Sequence, residues 1–147
     1  MRNLEWPPLW LAAALALVWG IDRVLPFGLF GAAGRVVGGG LILAGLGLMG
    51  LASLQMMLAR TTVIPHEVPR ALVSSGVFRF SRNPIYLGDA LVLTGVILWW
   101  DVPLALPLVP VFMAIIQVRF ILAEEDRLRA KFGPEFEAWS RRTRRWL

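Results

Sequence analysis

The stretch Arg82-Asn83-Pro84-Ile85-Tyr86-Leu87-Gly88 and, further along, the pair Glu124-Glu125 place a cation, a helix start and two carboxylates at the edges of apolar segments. Ionisable side chains at membrane depth are costly and face protein, water or a ligand where they occur, so chemistry is sought at these two clusters. Asn83 suits an N-cap and Pro84 the first helical position, which predicts a helix start whose positive dipole end would welcome an anionic group. Arg82 adds a full charge there, and Tyr86 a ring and a hydroxyl. The glutamates offer the complement, a place for an ammonium group. An anion site facing a cation site matches a zwitterionic amino-acid ligand. It matches equally a capped helix plus an internal ion pair, with Glu124 or Glu125 held by Arg82, Arg119 or Arg127.

The elements that must position these residues are apolar helices. A chain of 147 residues that is 57% hydrophobic, with seven tryptophans and a mean hydropathy of +0.65, has more apolar surface than one soluble core of this size can hide. The expected fold is all-α, a polytopic integral membrane protein of one domain, with about four transmembrane helices near 9–25, 36–59, 85–100 and 102–122 and C-terminal interfacial helices. The N-terminal segment reads as a first span and not as a cleaved signal. Arg60, Arg70, Arg79 and Arg82 lie in the loop 60–83, and Arg127, Arg129, Lys131, Arg141, Arg142, Arg144 and Arg145 in the segment 124–147. The positive-inside rule puts both regions and both termini in the cytoplasm, with Arg23, Arg35 and Asp101 on the other face. The lipid bilayer accounts for the net charge of +5, so nucleic acid is not an expected partner. With no cysteine and one histidine, disulfides, thiolate or multi-histidine metal sites and cysteine nucleophiles are excluded.

Several features invite readings that the residues alone weigh differently. Gly45-Leu46-Gly47-Leu48-Met49-Gly50 has dinucleotide-fingerprint spacing, but it lies inside an apolar helix with no preceding strand. Gly34, Gly38, Ala44 and Gly45 are instead expected to let helices approach closely, and Gln55 to make an interhelical hydrogen bond. The loop from Arg60 to Asn83 is long enough to cover a ligand, and its His66 reads as a solvated loop residue before it reads as a base. Arg119, Asp89 and the basic cluster Arg141 to Arg145 could meet the charge of an acceptor or product, but Asp89, one turn inside the third helix, is expected first to pair with Arg119. Leu128, Phe132, Phe136, Trp139 and Trp146 recur among Arg and Lys in an amphipathic segment interrupted at Gly133-Pro134, fit to anchor at headgroups or to close a site.

Taken together, Leu72-Val73, Gly76-Val77-Phe78, Arg82-Asn83-Pro84-x-Tyr86-x-Gly88, Glu124-Glu125-x-x-Leu128 and Phe132-Gly133-x-x-Phe136 resemble the isoprenylcysteine carboxyl methyltransferase family and its prokaryotic relatives. The wider group includes phospholipid N-methyltransferases. The resemblance covers about residues 60–147. It implies an S-adenosylmethionine-dependent membrane methyltransferase that needs no metal, leaves S-adenosylhomocysteine, and sits in a prokaryotic inner membrane. The cofactor would be touched by Arg70, Ala71, Leu72, Val73, Phe78, Asn83, Pro84, Ile85, Tyr86 and Glu124, with Arg119 and Arg82 orienting substrate. The implied acceptor is an amphiphilic carboxylate; a phospholipid or other amine is the alternative, as is a non-catalytic structural protein. Two positions depart from the family pattern. Asn83 stands where histidine is frequent, and Phe120 stands where the prenylcysteine enzymes place a substrate arginine.

Overall fold

The shortest of the four apolar rods is the central one. The computed structural model describes residues 6–147, in which α1 spans Pro7–Val24, α2 Gly31–Leu58 and α3 Pro84–Trp99. A 3₁₀ turn at Pro103–Ala105 opens a fourth rod, which continues as α4 (Leu108–Ile116), passes through a π-helical turn at Gln117–Ile121 and runs on as α5 (Leu122–Phe132). A reversal at Gly133, with φ +49°, leads into α6 (Pro134–Arg142). No strand occurs among the described residues. α1, α2 and the rod Pro103–Phe132 are long and apolar enough to cross a membrane. α3, with 16 residues, reaches only about 24 Å at the helical rise. Ten of those residues are buried, against four of the 28 in α2, so α3 is the hub that α1, α2 and α4 surround while α2 turns most of its surface outward. The protein is an all-α polytopic membrane protein.

Glycine sets the distance between α2 and α3. A Cβ on Gly38 would lie 2.5 Å from the Gly95 carbonyl oxygen, and one on Gly45 would lie 2.6 Å from that of Gly88. The two antiparallel pairs are seven residues apart on each helix, so the same face meets at both levels. Gly34 adds a third contact, at the Leu98 carbonyl, whereas Ala44 is exposed and takes no part. The expected contact role of Ala44 is therefore wrong, because the face that turns toward α3 is spaced by seven and Ala44 falls beside it.

Two boundaries and one contact differ from the sequence reading. α2 begins at Gly31, five residues earlier than 36, because the Asp101 carboxylate reaches over from the α3–α4 turn. Its Oδ1 accepts the Leu29 and Phe30 amides at 2.8 Å, and its Oδ2 accepts that of Gly31 at 3.0 Å. These hydrogen bonds hold Asp101 below the usual carboxylate range. The segment 124–147 does not start a separate interfacial helix, since α5 continues the fourth rod without a break. Gln55 makes its hydrogen bond to a short 3₁₀ helix, Gly76–Arg79, and not to another apolar rod: its Oε1 accepts the Val77 amide at 3.0 Å. Gly76, with φ +58°, leaves room for that side chain where a Cβ would collide with it.

Candidate functional site

A cavity of about 370 Å³ lies at the end of the bundle where α1 and α3 begin and α2 ends. Its roof is the loop after α2, folded by its own threonines. Thr61 Oγ1 accepts the Arg70 and Ala71 amides at 3.0 and 3.3 Å, and Thr62 Oγ1 donates to Glu67 Oε2 at 2.8 Å. One wall is apolar, with Leu72, Val73 and Ile85 beside the aromatic residues Phe78, Phe136 and Trp139. Trp139 is fixed there by its Nε1–H, which donates to the Phe78 carbonyl at 2.9 Å. α6 therefore builds the cavity wall and buries Phe136 and Trp139 in protein, so these two rings do not serve as headgroup anchors.

The two adjacent glutamates have parted. Glu125 is buried and pairs with two arginines. Arg145 reaches it through two nitrogens at 2.9 and 2.8 Å, and Arg82 Nη2 lies at 3.3 Å. The Glu125 hydrogen bond holds Arg145 above the usual arginine value, while burial pulls Arg82 below it against the attraction of Glu125. Glu124 faces the cavity and accepts the Tyr86 hydroxyl at 2.6 Å. Arg127, one turn further along α5, also faces the cavity, and its Nη2 is buried without a hydrogen-bond partner; so is Nε of Arg82. A carboxylate and a guanidinium one helical turn apart thus bring opposite charges to one cavity wall.

Of the residues expected to touch a cofactor, Ala71, Leu72, Val73, Phe78, Asn83, Ile85, Tyr86 and Glu124 line this cavity. Arg70 and Pro84 do not line it. Arg70 is exposed and contributes its backbone amide to the loop fold, and Pro84 is packed inside the protein at the first turn of α3. Arg82 lines the wall but is committed to Glu125. Arg119 lies outside the cavity with its guanidinium 4.9 Å from the Trp10 ring centroid, and the expected pair with Asp89 is absent among the described residues. The cause is the π turn, which contains Arg119 and aims it at α1.

Asn83 precedes α3 but does not cap it with its side chain. Its Nδ2 donates to the Arg145 carbonyl at 2.9 Å, while its own amide donates to Ser81 Oγ at 3.1 Å. The expected N-cap is thus replaced by a strap. The tail after α6 runs along residues 78–83 through the Arg82 amide to Arg144 O, Thr143 Oγ1 to Arg79 O and Asn83 to Arg145 O. Trp146, expected at the membrane surface, donates through Nε1 to Gln117 Oε1 at 3.0 Å.

His66 is exposed in the loop, as expected, and also meets the cavity. It lines the cavity with φ +69°, and its ring lies 5.9 Å from that of Phe120. Two further polar residues line the wall, Arg127 and Asp89. Arg127 stood among many basic residues, and Asp89 had a plausible partner elsewhere. Among the described residues no three His, Asp or Glu side chains are grouped as a metal ion would require.

The family model for phospholipid methyltransferases matches residues 33–135, which takes in α2, the roof loop, α3, the fourth rod and the start of α6. The match covers most of the chain and most of the cavity wall, so the protein is an integral membrane methyltransferase. It belongs to the phospholipid methyltransferase family, within the isoprenylcysteine carboxyl methyltransferase-like group. Methyltransferases of this family generally use S-adenosylmethionine. No curated protein and no solved structure matches the chain.

Proposed function

We propose that the cavity holds S-adenosylmethionine and delivers its methyl group to an amphiphilic acceptor that enters from the bilayer. The observation that carries this reading is the pair Glu124 and Arg127 one turn apart on α5, a carboxylate and a guanidinium that both line one cavity. An amino acid's ammonium and carboxylate fit such a pair. The apolar and aromatic wall from Leu72 to Trp139 fits a flat heterocycle, and about 370 Å³ lies within the range of about 300–1,000 Å³ usual for small-molecule sites. The residues present therefore suit the cofactor that the family uses.

A bound methyl sulfonium supplies both the group to be transferred and a strong leaving group. The chain has to orient and dehydrate. Glu124, set by the Tyr86 hydroxyl, receives the ammonium, and Arg127 receives the carboxylate. The Thr61–Val73 roof and α6 exclude water from the reacting centre, and alignment in a dry site accounts for the rate. Trp6, Pro7 and Pro8 at the start of α1 and Met49 and Met56 on α2 give the cavity an apolar side on which an acyl or prenyl chain can lie. The cavity end faces the cytoplasm in this reading, because Arg60, Arg79, Arg82 and the basic residues of α5 and α6 gather there.

Calorimetry with S-adenosylhomocysteine in non-ionic micelles tests the site. Submicromolar to micromolar binding is expected, weakened by Glu124→Ala and by Tyr86→Ala, and retained affinity in both variants would remove the assignment. Transfer of a labelled methyl group into a membrane lipid extract, with mass spectrometry of the product, tests the activity itself.

A further inference from the structure

The π-helical turn Gln117–Ile121 is held from both sides by two neighbouring residues of the tail. Trp146 donates through Nε1 to Oε1 of Gln117, the first residue of that turn, at 3.0 Å. Arg145 holds Glu125, one turn past its end, through two nitrogens at 2.9 and 2.8 Å. The tail does not depend on α5 for its place, because its main chain is tied to the residues before α3. The Arg82 amide donates to the Arg144 carbonyl at 3.0 Å, and the Arg145 carbonyl accepts Asn83 Nδ2 at 2.9 Å. Thr143 Oγ1 adds a hydrogen bond to the Arg79 carbonyl at 3.2 Å. Trp146 is also half-buried against the apolar cluster that contains Ile116, Phe120 and Ile121. A π turn is a rare geometry with which an unbroken α-helix competes, and the two differ by one residue, or about 100°, in the direction of every later side chain. In the α register Glu125 would turn away from Arg145 and Arg82, and Glu124 away from Tyr86. A buried ion pair adds little net stability over apolar packing, but it discriminates between registers, since only one of them brings the charges together.

We propose that Arg145 and Trp146 are positioning residues: they lock α5 in the register that the π turn creates and so keep Glu124 beside Tyr86 in the cavity. Neither of them lines the cavity. They act through Glu125 at one end of the turn and Gln117 at the other. The consequence for binding rests on the reading of Glu124 as the carboxylate that holds the cofactor, whereas the register itself does not. Release of the clamp lets the turn relax toward α-helix, carries Glu124 away from the Tyr86 hydroxyl and loosens the hold on the cofactor.

Tyr86 is the only tyrosine of the chain, so full-length protein labelled with 3-fluorotyrosine carries a single fluorine NMR probe at the hydroxyl that meets Glu124. In non-ionic micelles, Glu124→Gln fixes where that signal lies when the hydroxyl has lost its carboxylate. Arg145→Ala is expected to move the signal toward that position and to lower affinity for S-adenosylhomocysteine about tenfold, the loss of one charge-assisted hydrogen bond. Arg145→Lys, which keeps the charge without the paired nitrogens, and Trp146→Phe, which keeps a ring without the donor, should each move it part of the way. Deletion of Val118, an exposed residue of the π turn, brings Ile116, Ile121 and Glu125 to successive intervals of four and makes the clamp unnecessary. In that background the displacement caused by Arg145→Ala should shrink to less than about a third. A signal that Arg145→Ala leaves unmoved, or an equal displacement with and without Val118, overturns the proposal. If Arg145→Ala does not fold, Arg145→Lys and Trp146→Phe decide by the same signal, and two unmoved signals overturn it. Failure of S-adenosylhomocysteine to bind the unaltered protein sinks the cofactor reading alone, because the fluorine comparisons are made without ligand.

Discussion

Glu124 and Glu125 are neighbours in the chain with opposite duties, and removing their charges one at a time separates the duties. Glu125→Gln leaves Arg145 and Arg82 facing an amide in place of a carboxylate that they contact at 2.8–2.9 Å and 3.3 Å, with side-chain exposures of 6% for Glu125 and 12% for Arg82. Breaking a buried pair from one side costs about 3–5 kcal/mol. Arg145 is 32% exposed and can rehydrate, so the lower end, about 3 kcal/mol, is expected. For a chain of this size that is a fall of about 6–12 °C in the unfolding midpoint. Glu124→Gln keeps an oxygen for the Tyr86 hydroxyl and breaks no ion pair, so its midpoint should move by less than about 1 kcal/mol equivalent. Its loss is in binding. One charge-assisted hydrogen bond to an ammonium accounts for about 1.5–3 kcal/mol, or about 10–100-fold in S-adenosylhomocysteine affinity. Thermal unfolding in micelles and calorimetry on the same preparations read both quantities. If Glu124→Gln melts as low as Glu125→Gln, or if Glu125→Gln alone loses the ligand without losing stability, the division of labour is wrong.

Gly45→Val should destabilise the bundle by about 1–3 kcal/mol, measured by thermal unfolding, because its Cβ would lie 2.6 Å from the Gly88 carbonyl oxygen and both helices would have to move apart. Arg119→Ala should leave S-adenosylhomocysteine affinity unchanged and cost about 0.5–1 kcal/mol of stability from the lost contact with Trp10, a contrast that calorimetry and melting distinguish from a role in the cavity. Asp101 ties Leu29, Phe30 and Gly31 to the α3–α4 turn and titrates below the usual carboxylate range. Its contribution to stability is thus fully present above the unfolded value, near about 4, and is lost as pH falls through the lower folded value. The melting midpoint of the unaltered protein should fall more steeply than that of Asp101→Ala between neutral and strongly acidic pH, and parallel curves would refute the clasp.

How much of this was legible in the sequence depends on the range of the interaction. The apolar rods were, because a span is a local property of composition, and so were Gly38 and Gly45, because a small residue in an apolar helix has few other uses. The start of α2 was not, since what nucleates it is Asp101, about seventy residues away in the chain. Asn83 has the local credentials of a cap, but the last residues of the chain offer its amide a carbonyl, and a side chain can serve only one of them. Arg127 and Asp89 were hidden for another reason. Each belongs to a residue type with many ordinary roles, and only the structure shows that both line one cavity, Arg127 with a buried Nη2 that has no hydrogen-bond partner.

The choice between the two glutamates is the sharpest case, because helical periodicity points the wrong way. In the fourth rod the buried positions run Phe112, Ile116 and Phe120 at intervals of four. An unbroken α-helix would bring Glu124 next onto that packed stripe and leave Glu125 about 100° to one side. The buried positions instead jump to Ile121 and then Glu125. The π-helical turn at Gln117–Ile121 takes up one extra residue and advances the phase of everything after it. Glu125 thereby enters the protein to meet Arg82 and Arg145, and Glu124 comes round to the cavity beside Tyr86. The same turn carries Arg119 out to Trp10, away from the cavity. A single extra residue in one helical turn therefore decides which carboxylate faces the cavity, which one is held by two arginines inside the protein, and which arginine lies outside the cavity.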